Sequence, residues 1–348
     1  MMMFLRFAML MAFLPVPTAF AQETVNNVPF AKIVRPISLG LPIDCTLGED
    51  CFVINYVDMG PEDGTKTDIA CNARTYDAHK GTDIAVLDEQ AMKGGVNVLA
   101  AAAGTVTKVR DGEPDQWATP EMIDKIKEAR KECGNAIMID HGEGLQTLYC
   151  HLKNGSVVVQ PNQEVKKSDV IAQVGLSGMT EFPHVHLGII KDKKIIDPFT
   201  AKNNSEKCGL RNTPLWDKNL NVQYQQFFIS AVGFKDDVPT LKGVERDTSS
   251  PKNLSMNSDI LTFWMHYYGA EKGDIITMEI KDVNGKTYIE REIEQDKNRA
   301  SQFYFAGRRT RSAPLVEGVY TGTVKVTRQG KNGNDVIKDK SIPILITP

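Results

Sequence analysis

The stretch Pro183-His184-Val185-His186-Leu187-Gly188 constrains this chain more than any other. In extended structure successive side chains alternate between two faces, so His184 and His186 project to the same side. The apolar residues around them fit a strand. Two imidazoles side by side read either as a pair of metal ligands or as one ligand beside an acid–base group. Six histidines occur in 348 residues, so few partners are available to decide between the two.

A chain of this length exceeds one ordinary core, and two domains are expected. Hydrophobic residues make up 41% and charged residues 24%, as in a globular protein, and the net charge of -3 gives no reason to expect a nucleic-acid partner. The first twenty residues carry one charge, Arg6, ahead of the apolar run from Phe7 to Leu14. Pro15 follows, and Ala19-Phe20-Ala21 fits a cleavage site before Gln22, which is the layout of a secretory signal peptide. That run is too short for a membrane anchor. Residues 1–21 are therefore set apart from the fold. The remainder is expected to be exported, periplasmic or extracellular, with no stable membrane insertion after cleavage.

Six cysteines suit such an address, because an even count in an exported chain favours disulfides. Cys45 and Cys51 are spaced to close a small loop, and Cys133 and Cys150 flank an apparent hairpin, which leaves Cys71 with Cys208. Six cysteines allow fifteen connectivities, so this pairing is an expectation that peptide mapping can test.

Residues 22–70, rich in turn formers, read as an irregular lead-in. Beyond them the pattern is mainly β. Ile84-Ala85-Val86, Val96 to Ala101, Gly104 to Val109, Asn135 to Asp140, Leu145 to His151, Val157 to Val159, Val170 to Val174 and His184 to Ile190 all read as strands. The stretch 112–132 interrupts them with Thr119-Pro120-Glu121, a helix start, followed by apolar residues at helical spacing. This short inserted helix reads either as a surface decoration, the default, or as the border of a groove. No βαβ alternation appears, which disfavours a doubly wound parallel sheet. After Trp216 the chain changes character. Hairpins over 275–293, with an Asn284-Gly285 turn, and over 318–346 fit a small C-terminal β-sandwich across 225–348. The aromatic run around His266 reads as core of that sandwich, and His141 as a residue of a glycine-rich turn.

His79 and Asp83 stand four apart around Gly81, and His186 supplies a third donor. Two imidazoles and a carboxylate form the ligand set of a catalytic zinc site that keeps one position for water. His151, beside Tyr149, and His184 remain as acid–base groups. His79-x-x-x-Asp83, Tyr149-x-His151-Leu152 and His184-x-His186, in this order, resemble the M23 family of zinc metallopeptidases, the lysostaphin-like, LytM-type endopeptidases. Gly104-Thr105-Val106 and Gly175-x-Ser177-Gly178 ahead of Pro183 agree with that pattern. The resemblance covers roughly residues 76–190. It implies an antiparallel β-sheet peptidase domain, placed here at 71–215, with one Zn2+ bound by His79, Asp83 and His186. It further implies that His151 and His184 handle protons, and that a metal-activated water cleaves peptide bonds in bacterial peptidoglycan stem peptides or cross-links. The runner-up is a non-catalytic protein of the same fold that binds cell wall or activates a separate amidase; retention of all five positions favours the enzyme.

Overall fold

Period-two burial turns the first half of the chain into one twisted antiparallel sheet. The computed structural model describes residues 37–60, 65–211, 213–330 and 333–348, so the expected signal peptide lies outside the described residues. The elements run β1 (Cys51–Asn55), β2 (Thr82–Val86), α1 (Glu89–Gly94), β3 (Asn97–Leu99), β4 (Gly104–Arg110), α2 (Pro120–Glu128) and β5 (Asn135–Asp140). They continue with β6 (Leu145–Leu152), β7 (Glu164–Val165), β8 (Val170–Gln173), β9 (His184–Lys191) and β10 (Lys194–Ile195). The main sheet has the order β1-β2-β9-β6-β5-β4-β7, with β10 added to β9, and β3 pairs separately with β8. One face of the main sheet carries Val53, Ile84, Val185, Leu187 and Ile189 into a large apolar core. The alternation places Phe52, Ile54, Asp83, Ala85, His184 and His186 on the opposite face.

The lead-in is not irregular throughout. Cys51–Asn55 pairs antiparallel with Thr82–Val86 as the edge of the main sheet, and Leu39, Ile43, Tyr56 and Val57 are buried in its core. The sequence hides this because a single strand's partner lies about 30 residues further on, across turn-rich chain. Val157–Val159 also departs from expectation. The Asp111 carboxylate captures the N–H groups of Gly155 and Val157, and the Val158 side chain is exposed, so no strand forms there. The inserted helix begins at Pro120 behind Thr119, although the Thr119 hydroxyl makes no cap bond. The helix itself buries no residue, but the segment before it packs inward, with Gln116 N–H on the Leu176 carbonyl and Ala118 N–H on the Thr180 carbonyl. All three expected disulfides are present: Cys45–Cys51, Cys71–Cys208 and Cys133–Cys150.

The second half is a two-sheet sandwich. Its elements are β11 (Phe228–Lys235), α3 (Leu241–Arg246), β12 (Asn253–Ser255), β13 (Ile260–Ala270), β14 (Ile275–Lys281), β15 (Thr287–Glu294), β16 (Arg299–Arg309), β17 (Gly318–Arg328) and β18 (Val336–Thr347). One sheet has the order β11-β13-β16 and the other β12-β18-β17-β14-β15, antiparallel except for the short β12–β18 pair. The Asn284-Gly285 turn closes β14 on β15, with Gly285 at a positive φ of 75°. Phe263, Met265 and Tyr267 of β13 fill the space between the sheets with Ile276, Met278, Tyr320 and Val324. Trp264, His266 and Tyr268 lie on the outer face of the three-stranded sheet. Phe263, Met265 and Tyr267 are thus sandwich core, as the sequence reads, whereas Trp264 and Tyr268 are buried in separate clusters on the other face.

Candidate metal centre and proton-transfer groups

Pairing of β2 with β9 sets Asp83 opposite His186 and Ala85 opposite His184. Because both strands alternate, the carboxylate and both imidazoles stand on the same face, away from the aliphatic core. His79 arrives from the turn before β2. Its Nε2 lies 3.1 Å from Asp83 Oδ1 and 3.1 Å from His186 Nδ1, and His186 Nδ1 lies 2.8 Å from the same Asp83 oxygen. Three donor atoms thus converge on one point. Gly81 permits the convergence: a Cβ there would stand 2.5 Å from His186 Nε2 and 2.6 Å from the Leu187 carbonyl oxygen.

Backbone carbonyls fix three of the four imidazoles. A carbonyl only accepts, so the facing ring nitrogen must carry the proton. His79 Nδ1 donates to the Tyr56 carbonyl (2.7 Å), His151 Nδ1 to that of Ser177 (2.8 Å), and His184 Nδ1 to that of Phe182 (2.9 Å). Each bond leaves the Nε2 lone pair available to the site. His186 is the exception, turning Nδ1 to the carboxylate. The other oxygen of Asp83 accepts a hydrogen bond from Asn55 Nδ2 (3.0 Å), so the carboxylate is held at both ends. Such outer partners orient metal ligands and set their tautomers. Asn55, Tyr56 and Phe182 were not singled out by the sequence as site residues, since only strand pairing brings them near.

His151 and His184 lie side by side, ring centroids 4.6 Å apart, and His184 Nε2 is 3.6 Å from Asp83 Oδ1. His151 sits at φ 60°, a left-handed conformation that costs a non-glycine residue about 1 kcal/mol or more. Its N–H donates to the Cys133 carbonyl (2.9 Å), and the adjacent Cys150 is tied to Cys133 by the disulfide, so two links hold that backbone. Tyr76 stacks on His79 at 4.3 Å and remains about half exposed at the rim.

The electrostatics follow from burial. Desolvation opposes the charge on Asp83, but His79 and His184 beside it, with bonds from His186 and His79, hold its carboxyl well below the usual carboxylate range. Burial likewise works against protonated His79, and Asp83 overrides it, raising the pKa. Burial dominates at His184 and lowers its pKa. At His151 burial, followed by His184 and His186, lowers it further, well below the ordinary value. Both side-by-side imidazoles are therefore neutral bases at pH 7. His141 bonds Ala103 and Thr147, and His266 bonds Ser230 and Ser301; neither belongs to the centre.

Residues 77–198 match the model of Peptidase family M23. An uncharacterized metalloprotease of Haemophilus influenzae is 29% identical over 132 residues, covering 38% of this chain and 22% of that protein. The DD-carboxypeptidase/endopeptidase Mpg of Neisseria meningitidis serogroup B is 36% identical over 69 residues, 20% of this chain and 15% of its own. The chain thus spans less than a quarter of the length of these curated relatives. Among solved structures, a chain of the SpoIIQ–SpoIIIAH pore-forming complex has 22% identity and a TM-score of 0.33, over 49% of this chain and 94% of that one. With its His-x-x-x-Asp turn, its His-x-His strand and the antiparallel sheet that joins them, the segment 77–198 is the part of the chain that matches peptidase family M23.

Proposed function

We propose that this protein is an exported, zinc-dependent endopeptidase that hydrolyses peptide bonds in the stem peptides or cross-links of bacterial peptidoglycan. The observation that carries the proposal is the convergence of His79 Nε2, Asp83 Oδ1 and His186 Nδ1, all within hydrogen-bond distance of one another, beside two neutral imidazoles. Two nitrogens and one carboxylate oxygen suit Zn2+, and the Tyr56 and Asn55 contacts supply the outer partners such ligands take. These three residues would hold one ion. Zinc so held supplies Lewis acidity toward a peptide carbonyl and makes a water nucleophilic near neutral pH.

The chain's own residues complete the chemistry. His151 and His184, each with Nδ1–H engaged by a carbonyl, present unprotonated Nε2 atoms that take a proton from the attacking water and return it to the leaving amine. Ser177 and Phe182 keep the tautomers correct, and Asn55 keeps Asp83 from turning away. The name of the Neisseria relative supports a peptide substrate of this class. Three disulfides support an oxidising compartment, periplasmic or extracellular.

The test is metal analysis of the purified chain together with release of muropeptides from purified sacculi. One zinc per chain is expected, with release abolished in His184→Ala although its zinc remains. A folded chain that binds sacculi without zinc and releases nothing would instead make it a non-catalytic cell-wall protein.

A further inference from the structure

We propose that Phe182 is a positioning residue through which the C-terminal sandwich holds His184 in its reacting orientation; this rests on the reading of His184 as a proton-transfer group.

The sandwich is not seated on a neutral surface. Phe52, Ile54 and Ala85 stand on the same face of the main sheet as Asp83, His184 and His186, because all six belong to the same alternation of β1, β2 and β9. Left open, this apolar half of the catalytic face would be wetted. Phe228 of β11 and Tyr268 of β13 cover it: Phe52 stacks on Phe228 with centroids 4.6 Å apart and lies 4.8 Å from Tyr268. A second tie runs beside it, where Asp88, the N-cap of α1, accepts from Thr248 N–H (2.7 Å) and Thr248 Oγ1 (2.6 Å).

Phe182 joins this cluster to the site. Its half-buried ring packs against the Phe52, Ile54, Ala85, Phe228 and Tyr268 group, and its centroid lies 4.5 Å from the His184 ring. Its carbonyl takes the His184 Nδ1 proton at 2.9 Å and also accepts from Thr180 Oγ1 at 2.9 Å. One residue therefore packs with its side chain on the cluster that Phe228 and Tyr268 of the sandwich complete, and accepts the His184 Nδ1 proton with its backbone. The loop carrying it has no ladder of its own to set that geometry. Besides the Thr180 contacts, its links include the isolated Gly175–His184 bridge, Met179 N–H on the Glu132 carbonyl (2.8 Å), Ala118 N–H on the Thr180 carbonyl and Val86 N–H on the Pro183 carbonyl (3.3 Å). An imidazole displaced by about an ångström loses on the order of 100-fold in rate, so what seats this loop also sets turnover.

The experiment uses the full chain and two replacements in this cluster, Phe182→Ala on the loop and Phe228→Leu on the sandwich, with Phe182→Tyr as the conservative partner. Nitrogen-15 spectra of the histidine rings in the metal-free protein report the His184 tautomer, and steady-state kinetics on sacculi or a cross-linked muropeptide report kcat and KM separately. In the unaltered chain and in Phe182→Tyr, His184 is expected as a single Nδ1-protonated species. In Phe182→Ala and Phe228→Leu it becomes a mixture of tautomers. There kcat falls about 10- to 100-fold while KM stays within about threefold and zinc content is unchanged. A His184 signal that stays single and Nδ1-protonated in Phe182→Ala overturns the proposal, as does a drop in melting temperature with kcat unaltered. Phe182 lies on a loop outside both sheets, so Phe182→Ala carries the test where Phe228→Leu fails to fold. If the unaltered chain hydrolyses nothing, the peptidase reading fails, while the ring spectra still decide the positioning role.

Discussion

Two sheet faces in this protein bury histidines, and they put them to opposite ends. On the eight-stranded sheet His79, His184 and His186 crowd around one carboxylate, with His79, Asp83 and His186 the only uncommitted donor cluster among the described residues, the other being the disulfide-linked Cys45–Cys51 pair with Asp50. On the outer face of the three-stranded sheet His266 is just as buried, but Ser230 Oγ (3.1 Å) and Ser301 Oγ (2.8 Å) occupy its two nitrogens. Burial alone pushes the His266 pKa down to about 4. A buried imidazole is thus not by itself a site. Convergence of several ligand atoms, His79 Nε2, Asp83 Oδ1 and His186 Nδ1, on one point is what separates the two faces.

The largest effect expected is within β9. His184→Ala should keep zinc and lower kcat by about 10²- to 10⁴-fold, the usual contribution of a positioned acid–base group. His186→Ala should lose the metal itself. Metal analysis alongside kinetics decides, and equal zinc loss in both variants would erase the division of labour between neighbouring imidazoles. Gly81→Ala tests the convergence without touching a donor. Its methyl would stand 2.5 Å from His186 Nε2, so zinc affinity should fall about 10- to 100-fold in a chelator competition; an unchanged affinity would mean that the donors tolerate displacement.

The brace behind His151 comes next. Replacing Cys133 and Cys150 together by Ala opens a loop of sequence separation 17 and should lower unfolding stability by about 3 kcal/mol in a urea titration. Because the disulfide also holds His151 at its positive φ, kcat should fall as well. Stability lost with kcat intact would show that the backbone bond to Cys133 suffices.

The smallest effect belongs to the sandwich. The folded pKa of His266, about 4, lies below the 6.5 of an unfolded chain, so the unfolded state binds a proton that the folded state refuses. Stability is full above 6.5 and is lost as pH falls toward 4, amounting to about 2 kcal/mol between pH 7 and pH 5. His266→Gln, which removes the titrating ring and keeps an amide where Nε2 meets Ser301, should flatten that part of the stability profile. An unaltered slope would assign the acid sensitivity to His151 and His184, and the contrast between the two faces would then be one of chemistry without a difference in titration.

Much of this was legible from the residues in line. Period-two alternation alone put His184 and His186 on one face, Asn284-Gly285 marked a hairpin, cysteine spacing led to the three disulfides, and the order of His79, Asp83, His151, His184 and His186 pointed to the M23 family. These are local properties, set by backbone geometry within a few residues. What lay beyond reach was everything fixed by pairing across long separations. Cys51–Asn55 reads as lead-in until β2 recruits it as an edge strand, and Asn55 then reaches an oxygen of Asp83 28 positions away. The carbonyls of Tyr56, Ser177 and Phe182 carry no sequence signature, because every residue has one; only the fold decides which of them meets an imidazole. The chain determined which donors exist, and the tertiary structure decided their protons, since a tautomer depends on the partner that folding places opposite each ring.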